Sequence, residues 1–191
     1  MFKFFAYLDR MKYIKRWSLM RSVREENIME HSQQVAVIAH ALALINNKIL
    51  GGSVDVSKVV LYAQYHEVGE VITGDLPTPI KYFNPEIKSA YKDLENKACE
   101  RILGMLPDSL SSEYRAYVMP DTDSEEYKIV KAADRLSAYL KCVEEIKAGN
   151  SEFKKAKASI GNELKGLKRA DVDYYLKEFA PAHELTLDEL D

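Results

Sequence analysis

The chain has 191 residues, 47% hydrophobic and 30% charged, with a formal net charge of −3. That length supports one domain with a real core, and the mildly acidic balance excludes a nucleic-acid binder held by a basic surface. The longest apolar run, Val35 to Ile45, is broken by His40 and is too short for a membrane span, while Cys99 and Cys142 build neither a disulfide framework nor a Cys-based metal site. Residues 1–6 are apolar, but Asp9, Arg10 and Lys12 follow at once, with no h-region or cleavage site. The expectation is a single domain over residues 1–191 in a reduced, cytoplasmic compartment, with no membrane and no nucleic-acid polymer as partner.

In chain order, residues 2–13 carry Phe2, Phe5, Ala6, Leu8 and Met11 around an apolar face, predicting a helix. Lys15-Arg16-Trp17-Ser18 follows with the only Trp, and Met20 to Asn27 is a polar connection. A helix is predicted from about Glu30 to Asn47, with Val35, Ile38, Ala39, Leu42 and Ile45 on one side. Gly51-Gly52-Ser53 ends it, and Asp55 is the expected N-cap of a helix running to about Val68. The segment after it is expected to be non-helical, because Pro77 and Pro79 fix φ and push Leu76 and Thr78 towards extended geometry. Asn84-Pro85 opens a long helix to about Met105, with Pro at the first helical position. Pro107 and Pro120 bracket a short helix, Ser124 starts a long one that Gly149 stops, and residues 151–166 and 171–179 add two more. No segment alternates with period two long enough to make a strand. The predicted class is all-α, with eight or nine helices.

Chemistry concentrates between His66 and Asp75, where one His, two Glu and one Asp fall within ten residues. Together with His31 and Asp134, the pair His66-Glu67 offers two imidazoles and two carboxylates, a set suited to a divalent transition ion. Such a set leaves coordination positions open for water and substrate, as metal-assisted hydrolysis requires. Glu70, four residues after His66 on the same helical face, is the candidate to handle protons there. Each residue also has a plainer reading. His66-Glu67 suits a solvated helix face, and the signature of two zinc-binding histidines fails because Glu70 stands at its last position. His31 alone suits a cap or a core, and His40, nine residues on, points away from it. Asp134 has apolar Val130 and Leu140 nearby, so a partly buried carboxylate there needs a cation, either Lys131, an arginine or a metal. Arg16 suits a phosphate clamp and Trp17 a flat wall; read plainly, they are a surface Arg beside a core Trp.

Taken together, His31, the doublet His66-Glu67 and the distant Asp134 resemble the H…HD…D pattern of the HD-domain metal-dependent phosphohydrolases. The likeness narrows further. Arg16-Trp17, Leu19-Met20-Arg21, Glu30-His31-Ser32, Gly74-Asp75-Leu76-Pro77-Thr78-Pro79 followed by Lys81-Tyr82-Phe83, and Ala138-Tyr139-Leu140-Lys141-Cys142 are similar to the bacterial 5'-deoxynucleotidases of the YfbR type. The likeness covers nearly the whole chain. It implies an all-α HD-type helical bundle that forms a homodimer. It implies removal of the 5'-phosphate from deoxyribonucleoside 5'-monophosphates, with one divalent ion such as cobalt or manganese. It further implies metal ligation by His31, His66, Glu67 and Asp134, and proton handling by Glu70. Arg16 would orient the phosphate, with His31, Glu67 and Asp134 also facing it, and Trp17 would border the sugar. The turn Asp75, Leu76, Pro77 and Thr78 would contact the nucleoside, with Asp75 on the 3'-hydroxyl. One departure stands out: the family's doublet is His-Asp, and here it is His66-Glu67. The alternatives are another HD-type nucleotide phosphohydrolase, or a helical nucleotide-binding protein whose catalysis is weakened by Glu67.

Overall fold

Four of the long helices begin where a side chain accepts the first free backbone N–H groups. In the computed structural model, which describes residues 1–81 and 83–191, Asn27 caps α2 (Ile28–Lys48), Asp55 caps α3 (Val56–Tyr65), Asn84 caps α6 (Pro85–Leu103) and Ser124 caps α8 (Glu125–Lys147). The remaining helices are α1 (Phe4–Leu8), α7 (Asp108–Val118), α9 (Lys154–Gly166) and α10 (Ala170–Glu178), and α4 (Glu70–Thr73) and α5 (Thr78–Lys81) are single turns. Among the described residues the only β pairing is one isolated bridge between Lys15 and Asn27. No described helix is long and apolar enough to cross a membrane. Tyr82, within the Lys81-Tyr82-Phe83 motif, lies outside the described residues.

α2 is the central element. It packs against α3, α8 and α10, and α8 in turn packs against α3 and α9. Its buried stripe, Val35, Ile38, Ala39, Leu42 and Ile45, is the predicted apolar face, and it meets Ile129, Ala133 and Leu136 of α8 in the main core. A second core lies beneath α1, where Phe4, Met11, Ile28, Val68 and Ile102 pack together. The predicted N-terminal helix over residues 2–13 is therefore real, but it tightens to a 3-10 turn from Asp9 to Tyr13.

Two expectations are corrected at the centre of the chain. The helix beginning after Asp55 stops at Tyr65 rather than Val68, so His66 is its C-cap and Glu67 sits in the following turn. The segment containing Pro77 and Pro79 does include helix: α5 starts at Thr78, with the N–H groups of Ile80 and Lys81 bonded to the Pro77 carbonyl at 2.9 and 3.0 Å. Proline is tolerated there because first-turn N–H groups have no intrahelical partner.

Candidate metal centre and the adjoining cavity

His31 lies in the first turn of α2 and is fully buried. It is not the cap of that helix, a role that Asn27 fills by accepting from Met29 and Glu30 at 3.0 Å each. Packing of α2 on α8 brings His31 Nε2 to 3.1 Å from Asp134 Oδ1. From α3 comes His66, whose ring centroid is 5.4 Å from that of His31. The early end of α3 matters here. Neighbours on a continuous helix point about 100° apart, whereas in the turn His66 Nε2 and Glu67 Oε1 converge to 3.0 Å. One ligand atom each from His31, His66, Glu67 and Asp134 falls within 4.8 Å of the others. Glu67 is thus no solvated helix face, and it sits in a turn rather than on a continuous helix. His40 is exposed on the outer face of α2, away from this cluster.

The proton positions of the two imidazoles test whether the cluster suits a cation. His66 Nδ1 lies 2.7 Å from the Ala63 carbonyl, which can only accept, so the proton of a neutral ring sits on Nδ1. Nε2 is then a bare lone pair, buried, without a hydrogen-bond partner. His31 repeats the arrangement. Ser137 gives its hydroxyl proton to Gln34 at 2.6 Å and therefore accepts from His31 Nδ1 at 3.2 Å. In the neutral rings both inner nitrogens present lone pairs towards carboxylate oxygens of Glu67 and Asp134, whereas a charged ring would donate to them instead. Acceptor against acceptor at about 3 Å is repulsive unless positive charge lies between them, and holding each His by its outer nitrogen is how ligand rings are oriented in metal sites. The four residues fit a divalent transition ion.

Of the cations considered for Asp134, Lys131 is the one in contact, its Nζ 3.2 Å from Oδ2, while Oδ1 faces His31 in the cluster. Burial alone would raise its pKa, but Lys131 and His31 hold it well below the usual carboxylate value. Glu67 is likewise held low, with His66 overcoming burial. Glu70, at the start of α4, goes the other way. Burial, then the negative charge of Glu67, push its pKa up to about 11, and its Oε2 is buried without a partner. Two carboxyls three residues apart are thus driven to opposite protonation states, the separation expected of an acid–base pair.

Arg16 is not a surface residue: its side chain is 13% exposed. Burial works to lower its pKa, but the carboxylates of Glu67, Asp134, Glu26 and Asp75 raise it further. Trp17 unites both of its readings. It packs on Phe153 with centroids 5.3 Å apart and also lines a cavity of about 320 Å³ with Arg16, Asp75, Leu76, Pro77 and Thr78. Arg135, Ser159 and Glu163 close the far side, and Arg135 Nε pairs with Glu163 Oε2 at 3.2 Å. Asp75 is raised above its ordinary value chiefly by burial, against the pull of Arg16. A second cavity, of about 300 Å³, is lined by two cluster residues, His66 and Glu67, together with Glu70 and Lys131.

Sequence reasoning missed the supports. Glu26 stands between Arg16, Trp17 and His31. Glu145, buried on α8, accepts from the Val23 and Arg24 N–H groups, from Lys141 and from Asn150, and so ties the polar connection 20–24 to the bundle. Its pKa falls to about 2 because Lys141 and these donors outweigh burial. These partners lie more than a hundred residues apart in sequence for the Glu145 bonds to Val23 and Arg24, and no local spacing signals them.

A family model described as 5'-deoxynucleotidase YfbR-like matches residues 3–183. A 5'-deoxynucleotidase of Vibrio vulnificus is 52% identical over 188 residues, covering 98% of this chain and 97% of the relative. One of Photorhabdus temperata is 50% identical over 189 residues, covering 98% and 95%. Among solved structures, an HD-domain phosphohydrolase of Listeria innocua aligns with a TM-score of 0.82 at 24% identity, covering 95% of this chain and 88% of that one. The cyanophage S-2L HD phosphohydrolase, bound to dA and one catalytic Zn2+ ion, aligns at 0.64 and 19% identity, covering 95% and 96%. The two structures speak to the fold, which is the HD-type bundle, and the sequence relatives to the lineage. The chain belongs to the YfbR-like 5'-deoxynucleotidase family.

Proposed function

We propose that this protein is a metal-dependent 5'-deoxynucleotidase, converting deoxyribonucleoside 5'-monophosphates to deoxynucleoside and phosphate. The observation that carries the reading is the convergence of His31, His66, Glu67 and Asp134, with a buried and unpartnered His66 Nε2, next to a buried arginine at the wall of a nucleoside-sized cavity. His31, His66, Glu67 and Asp134 would hold a divalent ion, cobalt or manganese in this proposal, which would supply Lewis-acid charge for the phosphate and acidify a nearby water. Arg16 neutralises charge on the phosphate oxygens, where a loose phosphoryl-transfer transition state carries it. With positive charge among the ligands countering Glu67, Glu70 releases the proton that burial holds on it and becomes able to accept one from the attacking water. The water oxygen bonds phosphorus as the bond to the 5'-oxygen breaks, and the proton that Glu70 took from the water passes to that leaving oxygen. Trp17 borders the sugar, Asp75 takes the 3'-hydroxyl, and Leu76, Pro77 and Thr78 line the nucleoside. The same proposal takes the chain as one domain over residues 1–191, acting as a cytoplasmic homodimer.

Product analysis tests the reaction type. Incubation with deoxynucleoside mono- and triphosphates should release orthophosphate from the monophosphates; pyrophosphate or triphosphate as the released product would place the enzyme with other HD-type hydrolases.

Arg16→Ala should reduce turnover with little change in metal content, because Arg16 is assigned to the phosphate and is not one of the four cluster residues. Loss of a charge-assisted contact costs about 1.5–3 kcal/mol, or roughly ten- to hundredfold in kcat/KM if felt in the transition state. Unchanged kinetics would remove Arg16 from the site.

Trp17→Ala should narrow the gap between deoxy- and ribonucleotides even as both rates fall. The indole lies against the cavity with its backbone at φ +58°, a left-handed conformation costing a non-glycine residue about 1–2 kcal/mol. A rigid wall there leaves a 2'-hydroxyl buried without a partner, which is unfavourable. Steady-state kinetics on matched pairs read the ratio, and a ratio that stays fixed would return Trp17 to a purely packing role.

A further inference from the structure

Glu26 lies on the short strand-like return that pairs with the Arg16 segment: the Arg16 N–H donates to the Glu26 carbonyl at 2.9 Å, and Lys15 bridges Asn27 beside it. Its nearly buried carboxylate meets three groups. Oε2 accepts from the Trp17 indole N–H at 3.0 Å and lies 3.6 Å from Arg16 Nε, while Oε1 lies 3.6 Å from His31 Nδ1. Arg16 Nε has no hydrogen-bond partner among the described residues, so Glu26 is its adjacent charge rather than its bonded anchor. Both Glu26 and its three neighbours are buried or nearly so, which makes each contact stronger than it would be in water.

We propose that Glu26 is a positioning residue that fixes the phosphate-binding Arg16 and the sugar-side Trp17 relative to the metal ligand His31. Arg16 and Trp17 are adjacent on a strained backbone, and among the described residues Glu26 is the one carboxylate within 4.0 Å of the Arg16 guanidinium and bonded to the Trp17 indole; Trp17 packs on Phe153 on one face and meets Glu26 at its indole nitrogen. Glu26 is not among the residues lining the cavity that Arg16 and Trp17 line, so it acts through them and not on substrate. The inference rests on the nucleotidase reading for its kinetic consequences, but its contact with Trp17 stands apart from any activity.

That separation shapes the test. Trp17 is the only tryptophan in the chain, so emission excited selectively at tryptophan reports on the surroundings of this one indole. Glu26→Gln keeps an acceptor for the indole and removes the charge beside Arg16; Glu26→Ala removes both. In Glu26→Gln, Trp17 emission should stay close to the parent's and the metal content should be unchanged, while kcat/KM on a deoxynucleoside monophosphate falls by about 10–100-fold, as for outer partners of functional groups. In Glu26→Ala, emission should also shift and become more accessible to acrylamide. Parent-like kcat/KM in Glu26→Gln overturns the proposal, as does a parallel loss of metal, which would make Glu26 a support of His31 alone. Parent-like emission in soluble Glu26→Ala overturns the indole contact. If the parent protein itself releases no phosphate, the nucleotidase reading fails, and the emission of the two variants still decides whether Glu26 anchors Trp17.

Discussion

Glu70→Gln should lower kcat by about 10²–10⁴-fold, the span expected for loss of a general acid–base group, with the metal content intact. Glu70 is 4% exposed and has a buried, unpartnered Oε2. A carboxyl in that state is costly unless it has work beyond folding. Its pKa, pushed up to about 11 by burial and the Glu67 charge, means that it is protonated at neutral pH until positive charge arrives nearby. The amide keeps the shape and hydrogen-bonding reach but cannot take up a proton. Metal analysis beside pre-steady-state phosphate release checks the prediction. A variant that turns over at the parent rate would move proton handling elsewhere; one that loses its metal would make Glu70 a ligand.

The second large effect belongs to Glu67. Glu67→Ala should lower metal affinity by more than the roughly 10–100-fold seen for outer partners of metal ligands, because it removes a member of the cluster itself. It also leaves His66 Nε2, already without a hydrogen-bond partner, without the carboxylate that lies 3.0 Å from it. Glu67→Asp should keep the metal and raise turnover, since both side chains offer a carboxylate and only reach differs. The turn after Tyr65 gives residue 67 freedom to absorb one methylene, which a rigid helix would not. Titration with a divalent ion followed by calorimetry or absorbance reads both variants. Full metal content and full rate in Glu67→Ala would reduce the site to His31, His66 and Asp134.

What the sequence conveyed was local. Asp55, Asn84 and Ser124 each bond the backbone of their own helix within three residues, so capping is written in short windows. The apolar stripe of α2 was equally legible, because period 3.6 needs no knowledge of what packs against it. The end of α3 was not legible. Residues 66–69 keep a helix-like turn held by bonds such as Glu70 N–H to the Glu67 carbonyl, and no proline interrupts them. α5 was hidden for the opposite reason: two prolines argued against a helix that needs only its first turn to hold them. The metal cluster came through resemblance rather than spacing, as His31, His66 and Asp134 each had an ordinary explanation alone. Glu26 and Glu145 stayed invisible because a buried glutamate has the same letter as an exposed one, and only the tertiary contacts of Arg16, Trp17 and the 20–24 connection single them out.

The most direct measurement is phosphate release by protein stripped with chelator and resupplied with metal. The stripped protein should be inactive towards deoxyribonucleoside 5'-monophosphates. Addition of cobalt or manganese should restore release of orthophosphate as one ion per chain is taken up, with ribonucleotides turned over more slowly. A protein that binds one ion yet frees no phosphate from any deoxynucleotide, or that hydrolyses them equally well without metal, would contradict the account.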